Sequence, residues 1–237
     1  MIDALGDRMK RQYEDRTRVM LPRRTFTILQ VDGKAFHTLT RHFKKPYDEG
    51  LVYMMDQVAL ALCKEAQGAR MAYTQSDEVS VLLTDFATIA TDAWFDGNLQ
   101  KIVSVGASIA TAAFNLCNEQ DRDIPIGTFD ARAFTIPDPT EVENYFIWRQ
   151  QDAVRNSIQS MAQSHFSHKQ LQGKNSNQLQ ELIFAETGLN WNDLPIEQKR
   201  GRVIRRLGGQ WIVDREPPTF TQMRRYLPIN NPAQDEE

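Results

Sequence analysis

The fold turns on "MAYTQSDEVSVLL", Met71 to Leu83. Two strand-like apolar runs flank the polar centre Ser76-Asp77-Glu78, the pattern of an antiparallel hairpin with two acids at its tip. Adjacent carboxylates at such a tip suit a solvated turn or half of a metal site. The surrounding chain has to distinguish them.

Upstream, "TFTILQVDG" (25–33) reads as a strand that stops at an Asp-Gly turn. A short helical piece, "KAFHTLTRHF", follows, and "KKPYD" breaks it because proline disfavours helix in the residue before it. Asp48 is placed to cap a long helix with Leu51, Met54, Met55, Val58 and Leu62 on its buried face. Downstream of the hairpin, Leu99, Ile102, Val103, Gly106, Ile109, Ala110, Ala113 and Phe114 recur at helical spacing. The small residues among them predict close packing on a sheet. "IPIGTFDARAFTI" is a fourth strand. The order βαββαβ is that of a ferredoxin-like sheet in an α+β protein. In that topology the first and third strands are central neighbours, so Asp32 converges with Asp77 and Glu78.

Beyond the fourth strand, Thr140 and Glu143 read as a capping box opening a long helix. Arg149, Asp152, Asn156 and Gln159 give that helix a polar stripe. A hairpin is expected at Gly208-Gly209, and the tail "NPAQDEE" is expected to be disordered. The expected division is a catalytic domain over 1–136 and a helical extension over 137–237 that packs on it and carries the hairpin and the acidic tail.

Lys and Arg total 28 against 31 Asp and Glu, a net charge of −3. That balance argues against a nonspecific nucleic-acid binder, which is usually basic. The basic residues are nonetheless clustered, at Arg8 to Arg24 and at Lys199 to Arg206, as local phosphate-binding patches would be. No apolar run approaches the roughly 20 residues that span a bilayer. The charged N-terminus is not a secretory signal. Cys63 and Cys117 read as thiols of a reducing compartment, so a cytoplasmic protein without a membrane partner is expected.

Aspartates at two converging strand ends suit hard divalent cations. Mg²⁺ takes oxygen ligands and keeps one or two carboxylates plus substrate phosphates, and a pair of such ions serves phosphoryl or nucleotidyl transfer. Gly33, without a Cβ, allows close approach of a metal or phosphate. Lys34, Lys44, Lys45 and Arg132 are candidate phosphate ligands, and Phe36 and His37 lie one helical turn past Asp32. Taken singly, Asp32-Gly33 is also an ordinary turn and His37 an ordinary hydrogen bonder; the joint pattern carries the site. "LQGKNSN" lacks P-loop spacing, and there is no G-x-G-x-x-G.

The series "VDGKAFHTLTRHFKKPYD", "AYTQSDEVSVLL", "TFDARAFTIP", "YFIWRQQDAVRNSI", "LQGK" and "LPIEQKRG" resembles the tRNA-His guanylyltransferase superfamily, in order from Val31 to Gly201. The resemblance implies a polymerase-like palm that extends RNA in the 3′-to-5′ direction, using ATP or GTP and two Mg²⁺ ions on tRNA. The implied metal ligands are Asp32, the Gly33 carbonyl and Asp77, with Glu78 in the same catalytic motif. The implied nucleotide contacts are Phe36, His37, Lys45, Asp48, Ser76 and Arg132, to which Lys34 is added as a candidate phosphate ligand. Candidate RNA contacts are Arg149, Asp152, Arg155, Asn156, Lys174, Lys199 and Arg200. A homotetramer is implied as well.

Members that add the −1 guanosine to tRNA-His carry His-Ile-Asn-Asn in the long helix. Here Val154, Arg155, Asn156 and Ser157 stand there, keeping only the first asparagine. This is similar to the bacterial, archaeal and phage guanylyltransferase-like branch, which favours templated repair of 5′-truncated tRNA. The alternatives are non-templated addition to tRNA-His, a palm-fold nucleotide cyclase and a noncatalytic RNA-binding module. The last is disfavoured by the absence of an aromatic pair on the inner strands.

Overall fold

The computed structural model describes residues 4–118 and 125–229. The acidic tail from 230 onward lies outside the described residues. A six-stranded antiparallel sheet organises the chain in the order β4-β1-β3-β2-β5-β6. Its strands are β1 (Phe26–Gly33), β2 (Ala69–Gln75), β3 (Glu78–Leu83), β4 (Phe129–Ile136), β5 (Arg202–Leu207) and β6 (Gln210–Asp214). The helices are α1 (Ala4–Met9), α2 (Phe36–Leu39), α3 (Glu49–Glu65), α4 (Leu99–Asn118), α5 (Pro139–His165), α6 (His168–Leu171), α7 (Ser176–Thr187) and α8 (Ile196–Arg200).

The first four strands and the helices α3 and α4 form the βαββαβ unit, with β1 and β3 as central neighbours. Antiparallel strands direct alternate residues to opposite faces, and the sheet is covered on both. Leu29, Val31, Val79 and Val81 pack against α3 and α4 through Met55, Val58, Leu62, Ile102 and Phe114. Ile28, Met71, Tyr73 and Leu82 pack against α5 and the C-terminal segment through Val142, Phe146, Phe220 and Leu227. Burial on both faces makes β1 and β3 nearly continuous apolar runs until each nears the acids. A Cβ on Gly106 would come within 3.0 Å of the Leu29 side chain; its absence is what brings α4 close to the sheet.

The 137–237 half supplies more than helices. β5 pairs with β2, placing Val203 opposite Tyr73 and Arg202 opposite Thr74, and β6 extends the sheet beyond β5. The hairpin turns at Gly208 and Gly209, both at positive φ. The far half of α5 and α7 form a smaller cluster around Ile158, Met161, Leu179 and Ile183. α5 begins two residues before the expected capping box. Asp138 is the N-cap, accepting from the Glu141 amide at 3.0 Å, with Pro139 as first helical residue. An Asp-Pro pair meets the cap and first-position preferences together, leaving Thr140 and Glu143 inside the helix.

Candidate active site

The hairpin between β2 and β3 is a tight turn at Ser76 and Asp77. Ser76 lies in the left-handed region at φ 50°, and its hydroxyl donates to Asp77 Oδ1 at 2.9 Å. The Gly33 amide donates to the Asp77 carbonyl at 3.1 Å, which ties the end of β1 to the turn. Asp32 is the register partner of Glu78 on one side and of Asp130 on the other. Directly opposed residues of antiparallel strands share a face, so the three carboxylates form a row across β3, β1 and β4.

This crowding shows in the acidities. Burial, then repulsion from Asp77, Glu78 and Asp130, raises the Asp32 carboxyl to about 6, with Arg132 opposing. Burial also raises Asp77, against the opposing effects of the Ser76 hydroxyl and His37. Among the described residues Asp32 makes no ion pair and its side chain no hydrogen bond. Glu78 is held differently: Arg149 Nη1 donates to its Oε2 at 2.8 Å and Gln75 Nε2 at 3.3 Å. Asp77 and Glu78 therefore have different surroundings, the first beside α2 and the second beside α5.

Asp77 and Ser76 line an open cleft of about 280 Å³ with Gly33, Ala35, His37 and Thr40. Ser76, Thr40 and Leu51 also line a neighbouring cavity of about 120 Å³, with Lys44, Lys45, Asp48, Asn156 and Arg202 on its wall. Arg202 leaves its Nη2 without a hydrogen-bond partner. The two spaces together present lysines, an arginine and hydroxyls beside the acid row.

The expected nucleotide residues divide between two surroundings. Lys45, Asp48 and Ser76 line the cavity, and Phe36 and His37 the cleft. Lys34 is exposed beside the cleft's Gly33. Arg132 is exposed on β4, opposite Gln30 and next to the acid row. Phe36 is mainly a core ring, 5.1 Å from Phe114 and 5.0 Å from Phe129 between centroids. A Cβ on Gly33 would meet that ring at 2.4 Å, so the glycine is required by Phe36 as much as by any ligand. Asp48 caps α3, accepting from the Leu51 amide at 3.0 Å and the Lys44 amide at 3.1 Å.

Of the expected RNA contacts, Arg149 is the one the structure withdraws from the surface. It is 6% exposed, committed to Glu78 and, at 3.5 Å, to Asp152. Of the polar stripe on α5, Arg149 faces Glu78 at the sheet's end, whereas Asn156 and Gln159 are exposed. Asp152 also accepts from Arg155 at 2.7 Å. Lys199 donates to the Asn192 carbonyl, the Arg200 carbonyl accepts from the Tyr73 hydroxyl at 2.6 Å, and Lys174 is exposed. Sequence reading missed Asp130. The alternation in "FDARAF" combined with antiparallel pairing to β1 would have placed it opposite Asp32.

Among the described residues no three His, Cys, Asp or Glu side chains converge as a ready metal cage. A cation here would instead be held by Asp32, Asp77 and the Gly33 carbonyl, completed by ligand phosphates, which is how Mg²⁺ is usually held. The donors fit: all are hard oxygens, and among the described residues Asp32 and Asp77 have no ion-pair partner.

The family model for tRNA-His guanylyltransferase matches residues 6–137. The chain belongs to the tRNA-His guanylyltransferase family. It is accordingly a nucleotidyltransferase, with the family's palm-like fold. A solved bacterial tRNA-His guanylyltransferase-like protein in complex with ATP matches with 47% identity and a TM-score of 0.90, covering 94% of this chain and 97% of that one. A bacterial guanylyltransferase-like protein in complex with GTP matches with 42% identity and a TM-score of 0.84, covering 95% and 97%. The tRNA-His guanylyltransferase of Schizosaccharomyces pombe is 30% identical over 87% of this chain and 79% of its own length. Identity is thus higher to the bacterial-like members, in line with the branch that the α5 segment suggested. No helix among the described residues is long and apolar enough to cross a membrane.

Proposed function

We propose that this enzyme adds nucleotides to the 5′ end of tRNA in the 3′-to-5′ direction, repairing 5′-truncated tRNAs against the opposing strand as template. The observation that carries this reading is the pair Asp32 and Asp77, without an ion-pair partner among the described residues, set beside a cavity walled by Lys44 and Lys45. The ATP and GTP complexes of similar bacterial proteins support a nucleoside triphosphate as its occupant.

In the first step a 5′-monophosphate oxygen attacks the α-phosphate of ATP; pyrophosphate leaves and a 5′-adenylylated end forms. In the second, the 3′-hydroxyl of an incoming nucleotide such as GTP attacks the activated 5′-phosphate. A phosphodiester forms and AMP leaves. Lys44 and Lys45 offer positive charge to the triphosphate, and Ser76 offers a hydroxyl at the turn. Asp32, Asp77 and the Gly33 carbonyl would hold Mg²⁺, which supplies Lewis-acid stabilisation of phosphoryl oxygens. Glu78, fixed by Arg149, lies beside Asp32.

Template dependence has its own support in α5. Where guanosine-adding members carry histidine and asparagine, Val154 packs on the Ile158 cluster. Ser157 accepts from Trp191 Nε1 at 3.0 Å. Those positions serve packing in this chain. The test uses 5′-labelled tRNA-His and a 5′-truncated tRNA, each with single nucleotides. The truncated RNA should be extended only by the nucleotide that complements the opposing base. Guanosine addition to tRNA-His regardless of the opposing base, with no extension of the truncated RNA, would overturn the proposal.

A further inference from the structure

Trp148 of α5 is 49% exposed, although tryptophan is highly buried on average. One ring face is occupied: the Arg149 guanidinium lies 3.5 Å from its centroid, a close cation–π contact. The Tyr145 ring meets Trp148 edge-on, with centroids 5.9 Å apart. Both neighbours are anchored to β3. Arg149 bonds Glu78, and the Tyr145 hydroxyl lies 2.9 Å from Ser80 Oγ. Glu78 and Ser80 are two residues apart on one strand and so share a face, the face on which Glu78 opposes Asp32.

The indole is therefore held by two contacts that both lead to the acid-bearing strand, with much of its surface left to solvent. Arg132 provides the matching charge. It is exposed on β4, opposite Gln30 and two residues from Asp130, and among the described residues it has no carboxylate within ion-pair distance. Tyr145 links the two: besides Trp148 it meets Phe134, with centroids 5.7 Å apart, and Phe134 is two residues from Arg132 on β4 and so on the same face. An exposed aromatic ring and a guanidinium on that face suit a nucleobase with its phosphate, since stacking is tolerant of base identity and the cation meets the backbone.

We propose that Trp148 is the stacking platform for the 5′-terminal base of the RNA, with Arg132 facing that nucleotide's phosphate. This rests on the reading of the site as one that acts on an RNA 5′ end. Sequence-tolerant stacking also fits a repair enzyme that takes its instruction from the opposing strand and has no need to read the terminal base.

The test uses a 5′-monophosphorylated RNA whose terminal base is 2-aminopurine. Binding to the unaltered enzyme should quench its fluorescence. Trp148→Leu should abolish most of the quench and raise KM for the RNA by about tenfold, while KM for ATP stays put. Trp148→Phe, which keeps a ring, should hold KM for RNA within about threefold and guards against a variant that merely misfolds. An unchanged quench and KM in Trp148→Leu would overturn the proposal. So would a variant whose only change is in sedimentation, which would assign the ring to a contact between copies of the chain. If the unaltered enzyme binds no RNA, the proposed function itself fails; RNA binding that ignores Trp148 removes this inference alone.

Discussion

Two clusters of charge in this molecule are built from similar parts and end in opposite states. In one, Asp56 of α3, itself only 1% exposed, accepts from Arg202 Nε and, at 2.5 Å, from Arg215, which also reaches Glu197 at 2.5 Å. Each carboxylate there has an arginine. In the other, Asp32, Asp77, Glu78 and Asp130 gather at one sheet end, and among the described residues only Glu78 pairs with an arginine. The first cluster ties α3 to β5 and α8. In the second, burial and mutual repulsion raise Asp32, a cost that a bound cation would offset. The contrast teaches that the state of compensation, more than the presence of acids, separates a structural ion network from a site.

That contrast can be broken most sharply by removing one acid from each cluster. Asp77→Asn should lower nucleotide addition by at least roughly a thousandfold, the scale of several kcal/mol that a bound metal contributes to a transition state, with the thermal midpoint barely changed. Near-normal turnover in Mg²⁺ would refute the assignment. Asp56→Asn should do the reverse to stability. It strands the buried Arg202, while Arg215 keeps Glu197, and should cost about 3–5 kcal/mol in denaturant unfolding. A loss under about 1 kcal/mol would mean that the network is not compensated in the way described.

The pH response should separate the clusters next. Asp32 titrates near 6 when folded, above its ordinary value of 3.8. The folded state then binds more protons than the unfolded state between those values, so Asp32 makes stability fall as pH rises through this window. Above about 6 the cost is constant. Asp32→Asn should therefore stabilise the protein more at pH 7 than at pH 4, measured without divalent cation. Added Mg²⁺ should erode the difference, because the wild-type acids then have a partner. A difference independent of pH would count against the acid row. The smallest effect is expected at Asp48→Ala, which removes the α3 cap for about 1 kcal/mol; a larger rise in KM for nucleotide than that loss explains would show that Asp48 also touches the ligand.

Much of the frame was legible in the sequence. The β1 and hairpin runs are apolar because both sheet faces are covered, and the hairpin's polar centre marks the turn without ambiguity. The convergence of Asp32 with Asp77 followed from topology alone. Other features were not legible, for reasons of register and context. Asp130 needs the pairing of β1 with β4 to be aligned residue by residue. Arg149 looked like surface because a helical polar stripe gives no sign of what faces it. Gly33 and Phe36 are each explained by the other, a contact between a strand end and the next helix that no periodicity displays. The cap of α5 was misplaced because two overlapping signals, Asp-Pro and Thr-x-x-Glu, compete within three residues.

The two-residue turn at Ser76 and Asp77 has a consequence for how such a site can change. Side chains on a strand alternate with period two, so the position of Glu78 is a matter of parity. A single-residue insertion between Glu78 and Leu83 would carry the acid to the other face or turn the core inside out, whereas a two-residue insertion would preserve both. Small steps in sequence length are therefore closed to this hairpin. The length of the strand that carries the acids thus behaves as a discrete quantity.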